Sequence, residues 1–317
     1  MSSFPQTGQD PQAPPSARSR RFAVAGFVLL LLLNAAAILS LGYFPTLDGP
    51  MLLYYAQAFG TLLAGHPAFH SYFQLQHVAG SHLFYFYFVA ALSPFLKLTL
   101  IEKLFVALYI AWLAYSFYYL VEGIRPGRGL PLALFVLPFA LNSTVYSAFY
   151  DFAFGAATAL FICGWWLRNF DRLNPLRSAL AAALLLIVIV MHLMDAAIVA
   201  LFTSIHVALY GAMQFRLAGG GFARRMGVSF RKTLKPAAHV AAGAALLYAF
   251  RPASVGSAQT DPFFQDPLQR LRELAAFRPF SPFESRFYRG LLGIVLISAV
   301  AMTVAALWRQ RRALSPR

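Results

Sequence analysis

Apolar residues run through this chain in long blocks separated by short polar stretches. The first block begins after Arg20-Arg21 and extends from Phe22 to about Leu41, close to the ~20 residues a helix needs to cross a bilayer. It exceeds the ~7–15 apolar residues of a signal peptide, which predicts a retained first helix. Further spanning segments are predicted at about 104–121, 131–147, 152–167, 178–194, 196–213, 236–250 and 288–308. The block 178–210 is too long for one helix. Met191-His192-Leu193-Met194-Asp195 interrupts it, which predicts two helices joined by a polar turn. The run LFYFYFVAALSPFL at 83–96 is apolar but short and carries Pro94; it reads as a re-entrant or interfacial helix that does not cross. The expected fold is all-α: a polytopic transmembrane bundle of about eight spanning helices. Juxtamembrane helices near 50–63 and 83–97 sit in a first outer loop, 44–103, and a second outer loop covers 251–287. Residues 1–20, rich in Pro, Gln and Ser, read as a disordered cytoplasmic tail. Residues 21–308 form the transmembrane domain and 309–317 a basic cytoplasmic tail.

Composition supports this reading. Of 317 residues, 59% are hydrophobic and 12% charged, against about 25% charged in a soluble domain. An ordinary soluble enzyme and a nucleic-acid-binding domain are excluded. The net charge of +15 sorts by side. Placing 1–21, 122–129, 168–177, 214–235 and 309–317 inside puts 18 of the 26 Lys and Arg there and leaves 8 elsewhere, as the positive-inside rule expects. Both termini are then cytoplasmic, and the expected location is the plasma (inner) membrane of a bacterium, in contact with membrane lipid. Cys163 is the lone cysteine, so neither a disulfide framework nor a cysteine metal site is available. The chain has no GKS/T phosphate loop, GxSxG or GxGxxG unit, which excludes transport driven by an internal ATPase.

Ionisable residues then collect on the outer side. Asp48 directly follows the first helix, with Gly49 and Pro50 behind it; it reads either as a helix cap or as a site residue. Tyr150-Asp151 lies between two later spans, His192 and Asp195 at the next outer turn, and Arg251 at the end of another span. Charges at membrane depth are costly and point by default into a polar cavity, so Asp48, Asp151, His192 and Arg251 are expected to converge on one. His66, His70, His77 and His82 populate the first outer loop, as metal ligands or as polar decoration. Arg278 and Arg286 stand among the arginines of the second, either as phosphate contacts or as a solvated basic loop.

The order of these motifs resembles the GT-C superfamily of integral-membrane glycosyltransferases. The resemblance rests on FPTLDGPMLLYYAQ at 44–57, a juxtamembrane stretch beginning at His66-Pro67, and Leu137-Pro138 leading to TVYSAFYDFAFGAA at 144–157. VMHLMDA at 190–196 completes it, over about residues 20–250. It implies transfer of a sugar from a polyprenyl-phosphate donor to a glycan, lipid or protein acceptor hydroxyl on the outer face, by inverting displacement. Asp48 would serve as the base or bind a divalent metal, Mg or Mn. Asp151 and His192 would orient the acceptor or share the metal. Tyr150, Asp195 and His66 would line the substrate site, and Arg251, with Arg278 or Arg286, would neutralise the departing phosphate. The same cavity in a non-enzymatic setting would suit a lipid or solute transporter, a flippase or an accessory membrane subunit.

Overall fold

The computed structural model describes residues 17–74, 82–125 and 129–249. The expected span 288–308, the loop 251–287 and the C-terminal tail fall outside them, as do residues 1–16. Every regular element among the described residues is helical. In chain order these are α1 (Ala17–Ser40), α2 (Gly49–Leu63), α3 (Pro67–His70), α4 (Phe84–Leu92), α5 (Leu98–Ile124), α6 (Gly129–Leu134), α7 (Ser143–Tyr146), α8 (Tyr150–Asn169), α9 (Pro175–Met191), α10 (Leu193–Leu217) and α11 (Phe222–Ala249). Four segments are long and apolar enough to cross a membrane: Arg21–Ser40, Leu98–Ile124, Tyr150–Arg172 and Leu193–Leu217.

Helix α8 is the axis of the bundle. Its most apolar stretch is 72% buried, whereas that of α1 is 6% buried and faces outward with Leu29, Leu32 and Leu33 exposed. Small residues allow α8 this position. A Cβ on Gly164 would stand 2.9 Å from the Leu120 Cα of α5, so only glycine lets the two backbones approach so closely. The Trp112 indole donates to Thr158 Oγ1 at 2.9 Å across the same seam, and the Arg168 guanidinium lies 3.6 Å over the Tyr119 ring. The core follows this contact, with Phe105, Tyr109 and Ile110 of α5 buried against Phe154 and Ala157 of α8.

The structure departs from the expected elements in four places. The single helix expected over 131–147 is three pieces: α6, a 3₁₀ turn at Leu137–Phe139, and α7. Pro138 has no N–H to continue a helix, and Asn142 restarts one by accepting from the Thr144 and Val145 amides. Second, α5 begins at Leu98, so Glu102 and Lys103 lie inside it rather than in the loop 44–103. Third, α11 begins at Phe222, so Arg224, Arg225, Arg231, Lys232 and Lys235 are helical rather than loop residues. Fourth, helix α1 begins at Ala17, inside the stretch 1–20 expected to be disordered, and the remaining elements lie near their expected positions. The break between α9 and α10 is at His192, whose backbone is extended (φ −161°, ψ 124°). Nine-residue α4 rises only about 13.5 Å, too short to cross.

One end of the bundle is tied by side chains of α5. The Lys103 ammonium donates to the Leu39 and Leu41 carbonyls at 3.0 and 2.8 Å, closing the C-terminus of α1 with a positive charge. Glu102 accepts from the Tyr150 hydroxyl at 2.6 Å and from Thr46 at 3.4 Å, and the Leu47 amide donates to the Tyr146 carbonyl at 2.7 Å. The segment after α1 is thereby fixed against α5 and α7. Removing a buried donor from two carbonyls leaves them unsatisfied. Lys103→Met should therefore lower the thermal unfolding midpoint in detergent by an amount equivalent to about 2 kcal/mol. Lys97→Met, at the exposed lysine that precedes α5, should leave it unchanged.

Candidate functional site

At this tied end the chain encloses a cavity of about 510 Å³, bordered by His82, Tyr85, Tyr150, Asp151 and His192. Four stretches deliver these side chains. Tyr150 and Asp151 open α8, His192 is the joint between α9 and α10, Tyr85 lies in the first turn of α4, and His82 precedes that helix.

Asp151 is 9% exposed, and its Oδ1 accepts the Tyr85 backbone amide at 2.7 Å. The carboxylate thus serves as the N-terminal cap of α4, a helix with no capping bond from its own Leu83 side chain. An anion at this position satisfies an orphan amide and the positive helix end together. The His82 amide donates to the Met191 carbonyl at 3.2 Å, tying the approach to α4 onto the end of α9.

The imidazoles of His82 and His192 meet edge to face at 4.6 Å, with Phe152 on another side of His192 at 4.8 Å. Burial, and secondarily the neighbouring His82, pull the pKa of His192 down to about 4; burial lowers that of His82 as well. Behind His192 stands Asp195, 0% exposed, its Oδ2 3.6 Å from the His192 Nδ1. Neither oxygen of Asp195 nor that nitrogen has a hydrogen-bond partner among the described residues. Gly155 of α8 leaves the room: a Cβ there would collide with the Asp195 carboxylate. Two buried polar groups thus face each other with no direct bond between them.

The backbone carries a second signal. Among the described residues, two non-glycine residues have left-handed φ, His82 at 68° and Ala148 at 62°, and both border this cavity. Such conformations cost free energy and collect at working sites.

The structure therefore gathers Tyr150, Asp151 and His192 at one cavity, with Asp195 directly behind His192. Asp48 does not border it. Asp48 stands half-buried at the N-terminus of α2 with no side-chain capping bond, while its carbonyl accepts from the Leu52 amide. His66 precedes α3 and is exposed. Arg251, Arg278 and Arg286 lie outside the described residues. Among the described residues, no three His, Cys, Asp or Glu side chains are grouped to hold a metal ion. Sequence reasoning missed Glu102, Lys103 and Tyr85 and left His82 as one histidine of four. An acid-base pair at the start of an apolar helix was the available signal for Glu102 and Lys103.

No protein-family model, curated protein or solved structure matches the chain.

The lowered pKa of His192 makes the fold sensitive to acid. Above about pH 6.5 the imidazole is neutral folded or unfolded, and stability is at its full value. As pH falls from 6.5 towards about 4, the unfolded chain takes up the proton first, and the share of stability that rests on the neutral imidazole is lost. The difference between wild type and His192→Gln in unfolding scans across this range should show that share. The variant should retain the share that belongs to His82.

Proposed function

We propose that the protein is a membrane glycosyltransferase that moves a sugar from a polyprenyl-phosphate donor to an acceptor hydroxyl, with His192 as the proton acceptor. The observation that carries the reading is the convergence of His192, Asp151 and Tyr150 on one cavity, with the unpartnered Asp195 carboxylate behind the histidine. A neutral imidazole is the form that can take a proton, and a carboxylate at its back stabilises the imidazolium that results.

The acceptor oxygen attacks the anomeric carbon as its proton passes to His192. The bond from that carbon to the phosphate oxygen breaks, and the polyprenyl phosphate leaves with the electron pair. A single displacement inverts the anomeric configuration. Asp151, with one oxygen engaged by Tyr85, directs its remaining oxygen to an acceptor hydroxyl. Arg251, Arg278 and Arg286 are the cations proposed for the phosphate.

The site end is proposed to face outward and the basic end the cytoplasm, which agrees with the distribution of Lys and Arg. In this arrangement α6 to α7, α9 and α11 cross together with the four long spans, and 288–308 supplies the eighth crossing. The tie of the Gly129 amide to Glu122 at one end (3.0 Å) and of Leu47 to Tyr146 at the other supports a crossing by the broken segment.

Membranes containing the protein, supplied with radiolabelled polyprenyl-phosphate sugars and a membrane extract as acceptor, should incorporate label. General-base catalysis is worth about 10²–10⁴-fold, so His192→Gln should lose at least about 100-fold. Asp48→Asn, outside the cavity, should retain activity. Equal activity in wild type and His192→Gln would remove His192 from the chemistry. Loss confined to Asp48→Asn would return the base to that residue.

A further inference from the structure

A second cavity, of about 310 Å³, opens in the other half of the bundle, between α8, α9, α10 and α11. No residue lines both this cavity and the one at His192. Trp165, Trp166, Leu185, Val199 and Leu246 give it an apolar wall. Its polar lining residues are Thr203 of α10 and the pair Ser178 and His239, which hydrogen-bond across the gap between α9 and α11.

Cations crowd the rim at Ser178 and His239. Arg177 precedes Ser178 in α9, and Lys235 lies one turn before His239 in α11. Lys235 reaches the Leu173 carbonyl, and the Lys232 ammonium donates to Gln214 Oε1 at 2.7 Å. Arg172 and Arg231 are exposed in the same region, and Asp171 is the acid of the 168–177 turn. An apolar chamber with positive charge at its mouth complements an anionic amphiphile: a chain within, a negative headgroup at the rim.

We infer that this cavity binds one acyl chain of an anionic membrane phospholipid, whose headgroup is held by Arg177 and Lys235. The inference needs the bundle to lie in a bilayer and is independent of the transferase reading.

The two tryptophans in the wall supply the test. The full chain, with Trp112→Phe and Trp308→Phe to leave Trp165 and Trp166 as its fluorophores, is placed in vesicles containing brominated phosphatidylglycerol or brominated phosphatidylcholine at equal mole fraction. Bromine quenches by contact, so the anionic lipid should quench more strongly, with about a 30-fold preference expected from two cations near the headgroup. Ala242→Phe, which fills the chamber from α11, should abolish the difference, and Arg177→Gln with Lys235→Gln should reduce it. Equal quenching by both lipids would overturn the inference. So would a preference that survives Ala242→Phe. Absence of quenching would mean that the chain itself or a second copy covers the chamber, and would overturn it as well. None of these results bears on sugar transfer, which is read in the separate membrane assay.

Discussion

A helix that ends inside an apolar bundle has no water to satisfy its last backbone groups, and the fold depends on how those ends are closed. Here the closing groups come from other helices. Lys103 of α5 caps the C-terminus of α1, Asp151 of α8 caps the N-terminus of α4, and Lys235 of α11 reaches the Leu173 carbonyl between α8 and α9. Each bond satisfies a backbone group and fixes one element relative to another. A buried cation or carboxylate is expensive on its own; set at a helix end it has a partner of opposite partial charge. The polar residues of the apolar stretches are thus part of what orders the bundle.

This dependence explains which features could be read from the sequence. The long apolar blocks are visible because their length is the property that matters, and α1, α5, α8, α9 and α10 fall close to their expected positions. The break at His192 was legible because Met191 to Asp195 interrupts a block too long for one helix. The interruption of 131–147 was less visible. Pro138 was plain, but the restart at Asn142 depends on a cap whose partners are two and three residues ahead. Glu102 and Lys103 were placed in a loop because adjacent charges look like the edge of a span. Only contact with Tyr150, 48 residues on, and with Leu39 and Leu41, more than 60 residues back, makes both charges tolerable inside α5. Long-range pairing of that kind leaves no local trace.

The site was legible to the same degree and for the same reason. His192 and Asp151 stand out as polar residues between apolar blocks. Their meeting requires α8 to run beside the α9–α10 joint, which Gly155 permits by leaving space for Asp195. His82 was indistinguishable from His66, His70 and His77 in sequence. Its left-handed backbone and its amide bond to Met191 set it apart, and both belong to the folded chain.

Four acids lie near the tied end among the described residues, and the structure uses them differently. Glu102 is engaged by Tyr150 and Thr46, and the collision that a Cβ on Gly49 would make with both Thr46 and Glu102 shows how tightly that corner is packed. Asp151 spends one oxygen on the α4 amide and keeps the other at the cavity edge. Asp48 stands outside the cavity lining. Asp195 alone of these is fully buried with both oxygens unpaired among the described residues, and the His192 Nδ1 stands 3.6 Å from its Oδ2. A carboxylate already saturated by donors changes little when chemistry occurs beside it. An unsatisfied one strengthens its interaction when its neighbour gains a proton, because the new charge appears in a poorly screened place. By that argument His192 and Asp195 are the polar pair at this end most open to a change of charge, while Glu102 and Asp151 hold in place the helices that bring the pair together.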